Sequence, residues 1–325
     1  MMKALLVAML CAGWALHGTG PAQSQAYPSK PIKMVVPFPP GGSVDVLARV
    51  ISDRLGTVLG QSVVVENHGG GAGGSNAAKM VAAADPDGYT ILITPGGALT
   101  SGPAVYKNIG YDPAKVFAPI GLLLETPQII SVHPDLPVTS LKDVVAYAKA
   151  NPGKLSWGTQ GFGTSPHLLL ELLKLEAGID IVHVPYRGTA PMLAAAVAGE
   201  VQMVADPMTS SLPHIQSGKL RPLAIAGHER SRQVPDVPTT REAGYPKFNA
   251  PFWLGVVAPA ATPVAVIDKL NAAFRESLSP PEMRSRLAAL SAEIKIGTPQ
   301  DFGKMLAEEL ALWTRVVRAA NITVE

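Results

Sequence analysis

The segment Pro37-Phe38-Pro39-Pro40-Gly41-Gly42-Ser43-Val44-Asp45 places two glycines and a hydroxyl directly ahead of an apolar run with helical spacing. Gly41 and Gly42 bare the backbone, and Ser43 is a good N-cap residue. The uncapped N–H groups of the following turn carry the positive end of a helix dipole. Such a turn holds an anion without any charged side chain. The same residues also read as an ordinary strand-to-helix turn, with Asp45 offsetting the dipole and pairing with Arg49 one turn on. Phe38 and Pro39 flank it on the strand side.

A second segment, Gly158-Thr159-Gln160-Gly161-Phe162-Gly163-Thr164-Ser165-Pro166-His167, has the same grammar. Ser165 is expected as the N-cap and Pro166 as the first helical residue, where a missing N–H costs nothing. Thr164, Ser165 and His167 would then face the concave side of the loop, where His167 either donates to an anion or serves packing. A third strand-turn-helix segment, Val184-Pro185-Tyr186-Arg187-Gly188-Thr189-Ala190-Pro191, offers Arg187. That residue is either a bidentate carboxylate partner or a solvated cation. Asp206 follows a short strand, placed to accept from a ligand hydroxyl or ammonium or to cap the next turn.

Other chemistries find little support. The string Gly69-Gly70-Gly71-Ala72-Gly73-Gly74 satisfies GxGxxG between a strand and a helix, but a dinucleotide site needs an acid after the next strand to reach the ribose. Pro95, Gly96 and Gly97 stand there instead, and a phosphate-binding GxxxxGK[ST] does not occur. No GxSxG is present, the nearest strings being those around Ser43 and Ser165. The histidines show no HExxH or i,i+4 pair, so neither a metal nor a cofactor is expected.

These loops need strands and helices to hold them. Strands are expected at Ile32–Pro37, Ser62–Glu66 and Thr90–Thr94, with helices at Val44–Leu59 and Ser75–Ala84 between them. A second unit starts near Gln128. Its strands are Ile129–Val132, Lys154–Gly158, Ile181–Val184, Val201–Ala205 and Leu223–Gly227, and its helices are Ser140–Asn151, Pro166–Ala177 and Pro191–Ala198. After a Pro-studded stretch, an apolar strand Phe252–Ala258 precedes helical patterns at Pro263–Leu278 and Pro299–Ala320. Strict alternation of β and α is the signature of parallel sheets covered by helices. The strand at 252 needs a sheet to join, so the C-terminal third is expected to return to the first unit. The fold class is α/β, with two Rossmann-like lobes joined by two crossovers around a cleft: 27–127 plus 250–325, and 128–249.

The 325 residues are 47% hydrophobic and 16% charged, with 27 basic against 25 acidic side chains. This balance gives no reason to expect nucleic-acid binding, which needs clustered Lys and Arg. Residues 1–26 read as a secretory signal peptide: Lys3, an apolar run from Ala4 to Leu16, and Ser24-Gln25-Ala26 for cleavage. That run is too short to span a bilayer, and no later segment is longer. The single cysteine, Cys11, lies inside it. Leu10 before it is not the small residue that lipid attachment requires, and the mature chain would carry no disulfide.

Taken in order, the motif at Pro37, the glycine string at Gly69, Asp87-Gly88-Tyr89, His133-Pro134-Asp135-Leu136-Pro137, Val184-Pro185-Tyr186-Arg187-Gly188, Leu212-Pro213-His214-Ile215 with Gly218-Lys219-Leu220, and Glu242-Ala243-Gly244-Tyr245-Pro246 resemble the Bug-type receptors of the tripartite tricarboxylate transporter family. The resemblance covers essentially the whole mature chain. It implies a periplasmic, non-enzymatic solute-binding protein of the type II-like, Venus-flytrap architecture, monomeric, with no membrane span in its mature chain. Such a protein captures a small carboxylate and presents it to membrane transporter subunits or to a sensor protein. Carried over by position, Phe38, Pro39, Gly41, Gly42 and Ser43 hold the ligand on one side. Thr164, Ser165 and His167 hold it on the other, with Asp206 nearby. Gln160, Phe162, Pro166 and Ala195 depart from the family pattern and bear on which ligand is held rather than on the fold.

Overall fold

The computed structural model describes residues 27–227, 229–248, 250–319 and 322; the expected signal peptide over 1–26 lies outside them. The chain begins with β1 (Ile32–Val36), α1 (Ser43–Leu59), β2 (Val63–Asn67), α2 (Ser75–Ala82), β3 (Thr90–Thr94), the short α3 (Ser101–Val105) and α4 (Pro113–Val116), and β4 (Phe117–Thr126). There follow β5 (Gln128–Val132), α5 (Leu141–Ala150), β6 (Ser156–Thr159), α6 (Ser165–Ala177), β7 (Val182–Pro185), α7 (Thr189–Val197), β8 (Met203–Pro207), α8 (Met208–Gln216) and β9 (Arg221–Ala226). The last part holds β10 (Phe252–Pro259), α9 (Val264–Leu278), α10 (Pro281–Ala289), β11 (Glu293–Ile294) and α11 (Pro299–Ala319).

The strands form two sheets, ordered β11-β4-β10-β3-β1-β2 and β7-β6-β8-β5-β9. The first shows why its strands read as continuous apolar runs. Ile32, Met34 and Val36 of β1 point into one core with Ile91, Ile93, Leu254 and Val256. Val35, Leu92, Trp253 and Val257 point into another on the opposite face. Period-two side chains buried on both faces leave few polar positions, Lys33 being the exposed one in β1. Helix α1 covers the first of these layers through Val44, Leu47, Ala48, Ile51 and Leu55 and stops at Gly60, whose φ of 66° only glycine adopts freely.

The sheets are mixed rather than wholly parallel. β10 runs antiparallel to β3 and β4, and β5 runs antiparallel to β8 and β9. A strand entering from the other sheet arrives without a covering helix of its own, so it is free to pair antiparallel. The long β4 is absent from the sequence reading. Pro119 and Gly121 interrupt its pattern, and both lie where the pairing with β10 shifts register, a place where a missing N–H is tolerated. Helix α8 also escapes sequence reading because Pro213 sits inside it.

Two connections join the sheets. β4 runs through Pro127 into β5, and the chain returns from β9 to β10. They are tied together by the Gln128 side chain, which donates from Nε2 to the Ala250 carbonyl at 2.7 Å. Helix α11 serves both bodies. Phe302 near its start is buried in a core of the first sheet, while Trp313 and Val317 are buried in the core of the second.

The glycine string at 69–74 has a packing role. Gly73 (φ 56°) and Gly74 (φ 93°) take left-handed backbone. A Cβ on Gly73 would lie 2.6 Å from the Gly97 carbonyl oxygen, and one on Gly97 equally close to that of Gly73. The turns after β2 and β3 thus meet backbone to backbone.

Candidate functional site

A cavity lies between the two sheets, at the carboxyl ends of β1, β3, β6 and β7. In α/β sheets this is where ligands bind, because the turns there expose helix N-termini. From the first sheet come Phe38, Gly42, Ser43 and Val44 after β1, Pro95 and Gly97 after β3, and Phe252 at the start of β10. From the second come Gln160, Thr164, Ser165, Pro166 and Thr189. None of these lining side chains is charged.

Two helix N-termini therefore face one space. In α1 the first ladder hydrogen bond runs from Val46 N to Gly42 O at 3.0 Å, so the amides of Ser43, Val44 and Asp45 precede the ladder. In α6 the corresponding bond runs from Leu168 N to Thr164 O at 3.2 Å, leaving the Ser165 amide ahead of it. The cap residues are Gly42 and Thr164, not Ser43 and Ser165 as the sequence suggests. Each serine is the first helical residue, which leaves its hydroxyl free of capping duty.

Gly41 is spent within the turn: its N–H donates to Asp45 Oδ2 at 3.0 Å, and Arg49 pairs with Asp45 Oδ1 at 2.9 Å. Burial opposes the charge on Asp45, but the Arg49, Gly41 and Asn67 donors outweigh it and hold the carboxyl below its usual range. The ordinary-turn reading of Asp45 and Arg49 is thus realised alongside the exposed amides. Arg187 is exposed, and its neighbour Thr189 reaches the cavity instead.

The walls touch. Ser43 Oγ lies 2.7 Å from Ser210 Oγ of α8, and Ser101 Oγ donates to the Gly163 carbonyl at 2.6 Å. A Cβ on Gly42 would sit 3.5 Å from Thr189 Cβ, and one on Gly188 3.2 Å from Pro39 Cδ. Pro39 thereby packs against the third loop.

Asp206 is fully buried behind the second wall. Its Oδ1 accepts from Gln160 Nε2 at 2.7 Å and Thr189 Oγ1 at 3.3 Å; its Oδ2 accepts from Ser211 Oγ at 3.1 Å and from Ser210 Oγ. Burial pushes its pKa up to about 7 against the pull of those donors. Asp206 does not cap the backbone of α8, whose N-cap is Pro207; its carboxylate holds the Ser210 and Ser211 hydroxyls and fixes two residues of the cavity wall, Gln160 and Thr189.

His167 is buried and stacks on His183 with ring centroids 4.5 Å apart, and its Nδ1 accepts from the Gly163 amide at 3.4 Å. His183 Nε2 lies 2.7 Å from Thr159 Oγ1. His167 thus shapes the Gly161–Thr164 turn rather than lining the cavity. Burial, then the neighbouring His183 and Lys174, lower its pKa to about 3; burial and Lys174 lower that of His183 to about 4. Unfolded histidine protonates near pH 6.5, so each contributes stability that is present above that pH and lost as pH falls toward the folded value. Asp206 acts oppositely, its contribution being lost as pH rises through about 7. Replacing His167 by Asn keeps an acceptor for Gly163 and removes one titrating site. Between pH 4.5 and 6.5 the variant's unfolding free energy should therefore rise with pH by about 1.4 kcal/mol per unit less than the parent's. Urea denaturation across that range measures this, and parallel slopes would show His167 to be protonated in the folded state.

Sequence reasoning missed Val44, Pro95, Gly97, Thr189 and Phe252 as cavity residues, and treated Gln160 and Pro166 only as departures. The rule that found the first loop, a Gly-rich turn at a strand's carboxyl end, also points to Pro95-Gly96-Gly97. Phe252 is reachable only through the antiparallel pairing of β10.

Residues 47–322 match the family described as the tripartite tricarboxylate transporter family receptor. Protein BugT of Bordetella pertussis (strain Tohama I) is 38% identical over 299 residues, covering 92% of this chain and 91% of its own. Among solved structures, R. palustris Rpa4515 with adipate superposes with a TM-score of 0.87 at 37% identity, covering 91% of this chain and 99% of that one. The periplasmic binding protein BugD gives 0.87 at 35% identity, with 92% and 100% covered. No helix among the described residues is long and apolar enough to cross a membrane. With two α/β sheets, a cavity between their strand ends and these likenesses over nearly its full length, the chain belongs to the Bug-type receptors of the tripartite tricarboxylate transporter family.

Proposed function

We propose that the protein is an exported, periplasmic receptor that captures a small carboxylate between two lobes, residues 27–127 with 250–325 and residues 128–249, and hands it unchanged to a membrane transporter. The observation that carries this is the pairing of two helix N-termini across a cavity whose lining side chains are uncharged. Amides ahead of a helical ladder lack partners in the chain and favour a negative group by both hydrogen bonding and dipole. Phe38, Val44, Pro95, Pro166 and Phe252 suit an apolar body attached to that group. Rpa4515, similar along the whole chain, is described with adipate, an acid of this kind.

Charge-assisted hydrogen bonds of about 1.5 to 3 kcal/mol each, with dipole contributions of about 0.3 to 1 kcal/mol, suffice for roughly micromolar binding. Only a solute that touches both walls distinguishes the closed from the open arrangement, so capture and closure are one event. An enzymatic reading would use Ser165, His167 and Asp206 together. The geometry supports the receptor instead, because His167 is engaged with His183 and Gly163, and Asp206 with four donors.

A thermal-shift screen against organic acids tests this. An acid present at 100 times its dissociation constant should stabilise the protein by about 2.7 kcal/mol, and mass spectrometry should recover it unaltered. No stabilisation across di-, tri- and aromatic carboxylates, or conversion of the acid, would overturn the proposal. A role as a ligand sensor shares this capture step and differs only in the membrane partner that receives the closed form.

A further inference from the structure

Gln160 is set apart from the other cavity residues by its amide. Among the described residues nine buried side-chain polar atoms have no hydrogen-bond partner, and Gln160 Oε1 is the one that belongs to the cavity wall. Its orientation is fixed from behind: Nε2 donates to Asp206 Oδ1 at 2.7 Å. An ionised carboxylate only accepts, so the NH₂ end must face it and the carbonyl end is turned elsewhere. Asp206 is itself held in place by Thr189, Ser210 and Ser211. The wall thus presents a rigid acceptor whose burial without a partner is unfavourable. Gln160 itself lines the cavity, so a donor on a bound solute is the partner this acceptor lacks.

No other feature of the site calls for a donor on the solute. The α1 and α6 amides are themselves donors and take its negative group, and the Ser43, Thr164, Ser165 and Thr189 hydroxyls on the walls can donate as well as accept. We propose that Gln160 determines specificity, selecting carboxylates that carry a hydroxyl or N–H donor over the same acids without one. This rests on the carboxylate-receptor reading above and adds a second recognition point to it.

The test is calorimetry on the intact protein at pH 8, where Asp206 is ionised, with acids that differ by one donor. Suitable pairs are glutarate with 2-hydroxyglutarate and 3-hydroxyglutarate, butyrate with 3-hydroxybutyrate and 4-aminobutyrate, and benzoate with 3- and 4-hydroxybenzoate. In at least one pair the donor-bearing acid should bind about tenfold or more tightly. Gln160→Leu, with Gln160→Met as a second variant, should bring that ratio to about one. Because the ratio is taken within a single variant, a general weakening of the site leaves it unaffected. Equal affinities within every pair in the parent protein overturn the proposal, as does a preference that survives both substitutions. Failure of every acid to bind would instead overturn the receptor reading itself.

Discussion

Replacing Ser43 by proline should weaken carboxylate binding by about 100-fold or more while leaving the ligand-free protein close to its parental melting temperature. The substitution removes two donors at once, the amide and the hydroxyl, each worth about 1.5 to 3 kcal/mol when the acceptor is charged. Few positions would tolerate it. Ser43 is the first residue of α1, whose ladder begins only with Val46 N, so no intrahelical bond is lost. Gly42 before it is extended, with φ −84° and ψ 170°, the backbone that a residue preceding proline adopts. Ser43→Ala separates the two donors by removing only the hydroxyl and its contact with Ser210 Oγ. Calorimetric titration of both variants with an acid that binds the parent measures the effect. Parental affinity in Ser43→Pro would place the ligand's negative group away from α1.

Gly73→Ala should destabilise the fold by about 3 kcal/mol and reduce binding as a secondary effect. The new methyl would stand 2.6 Å from the Gly97 carbonyl oxygen and 2.9 Å from its Cα. Those are main-chain atoms that no rotamer change can move aside, and overpacking of this kind costs about 1–3 kcal/mol. The left-handed φ of 56° adds about 1–2 kcal/mol for a residue with a Cβ. Gly97 lines the cavity, so relief of the clash would displace part of the site. Gly41→Ala is the control. Its φ of 85° is comparably strained, but nothing lies within 4 Å of the added methyl, so the cost should be only that of the backbone. Chemical denaturation of the two variants side by side separates crowding from strain, and equal losses would show that the contact between the turns yields freely.

Where burial and side-chain periodicity coincide, the elements could be read directly from the residues. Thr90–Thr94 and the run from Val44 to Leu59 are such cases, because alternate faces of the strand and one stripe of the helix are apolar. The return of the chain to the first sheet at Phe252 was also legible, since a wholly apolar strand after a polar stretch requires a sheet. Strand direction was not. The antiparallel pairing of β10 is settled by its partners Leu92–Thr94 and Phe117–Thr126, and its own composition carries no mark of it. β4 was hidden because Pro119 and Gly121 are breakers by residue type and become acceptable only at a register shift. At the site, local loop chemistry disclosed the two helix starts. It could not disclose that His167 pairs with His183, sixteen positions on, or that Asp206 pins Gln160, because those partners meet only through the order of strands in the second sheet.

Helix α11 sets a mechanical bound on whatever motion accompanies ligand exchange. With Phe302 anchored in one body and Trp313 and Val317 in the other, and Glu309 between them accepting from Trp253 Nε1 and Thr100 Oγ1, it acts as a leaf spring clamped at both ends. Separating the walls must flex this spring or draw one clamp out of its socket. The gape should therefore be narrow, with a built-in elastic return toward the shut form.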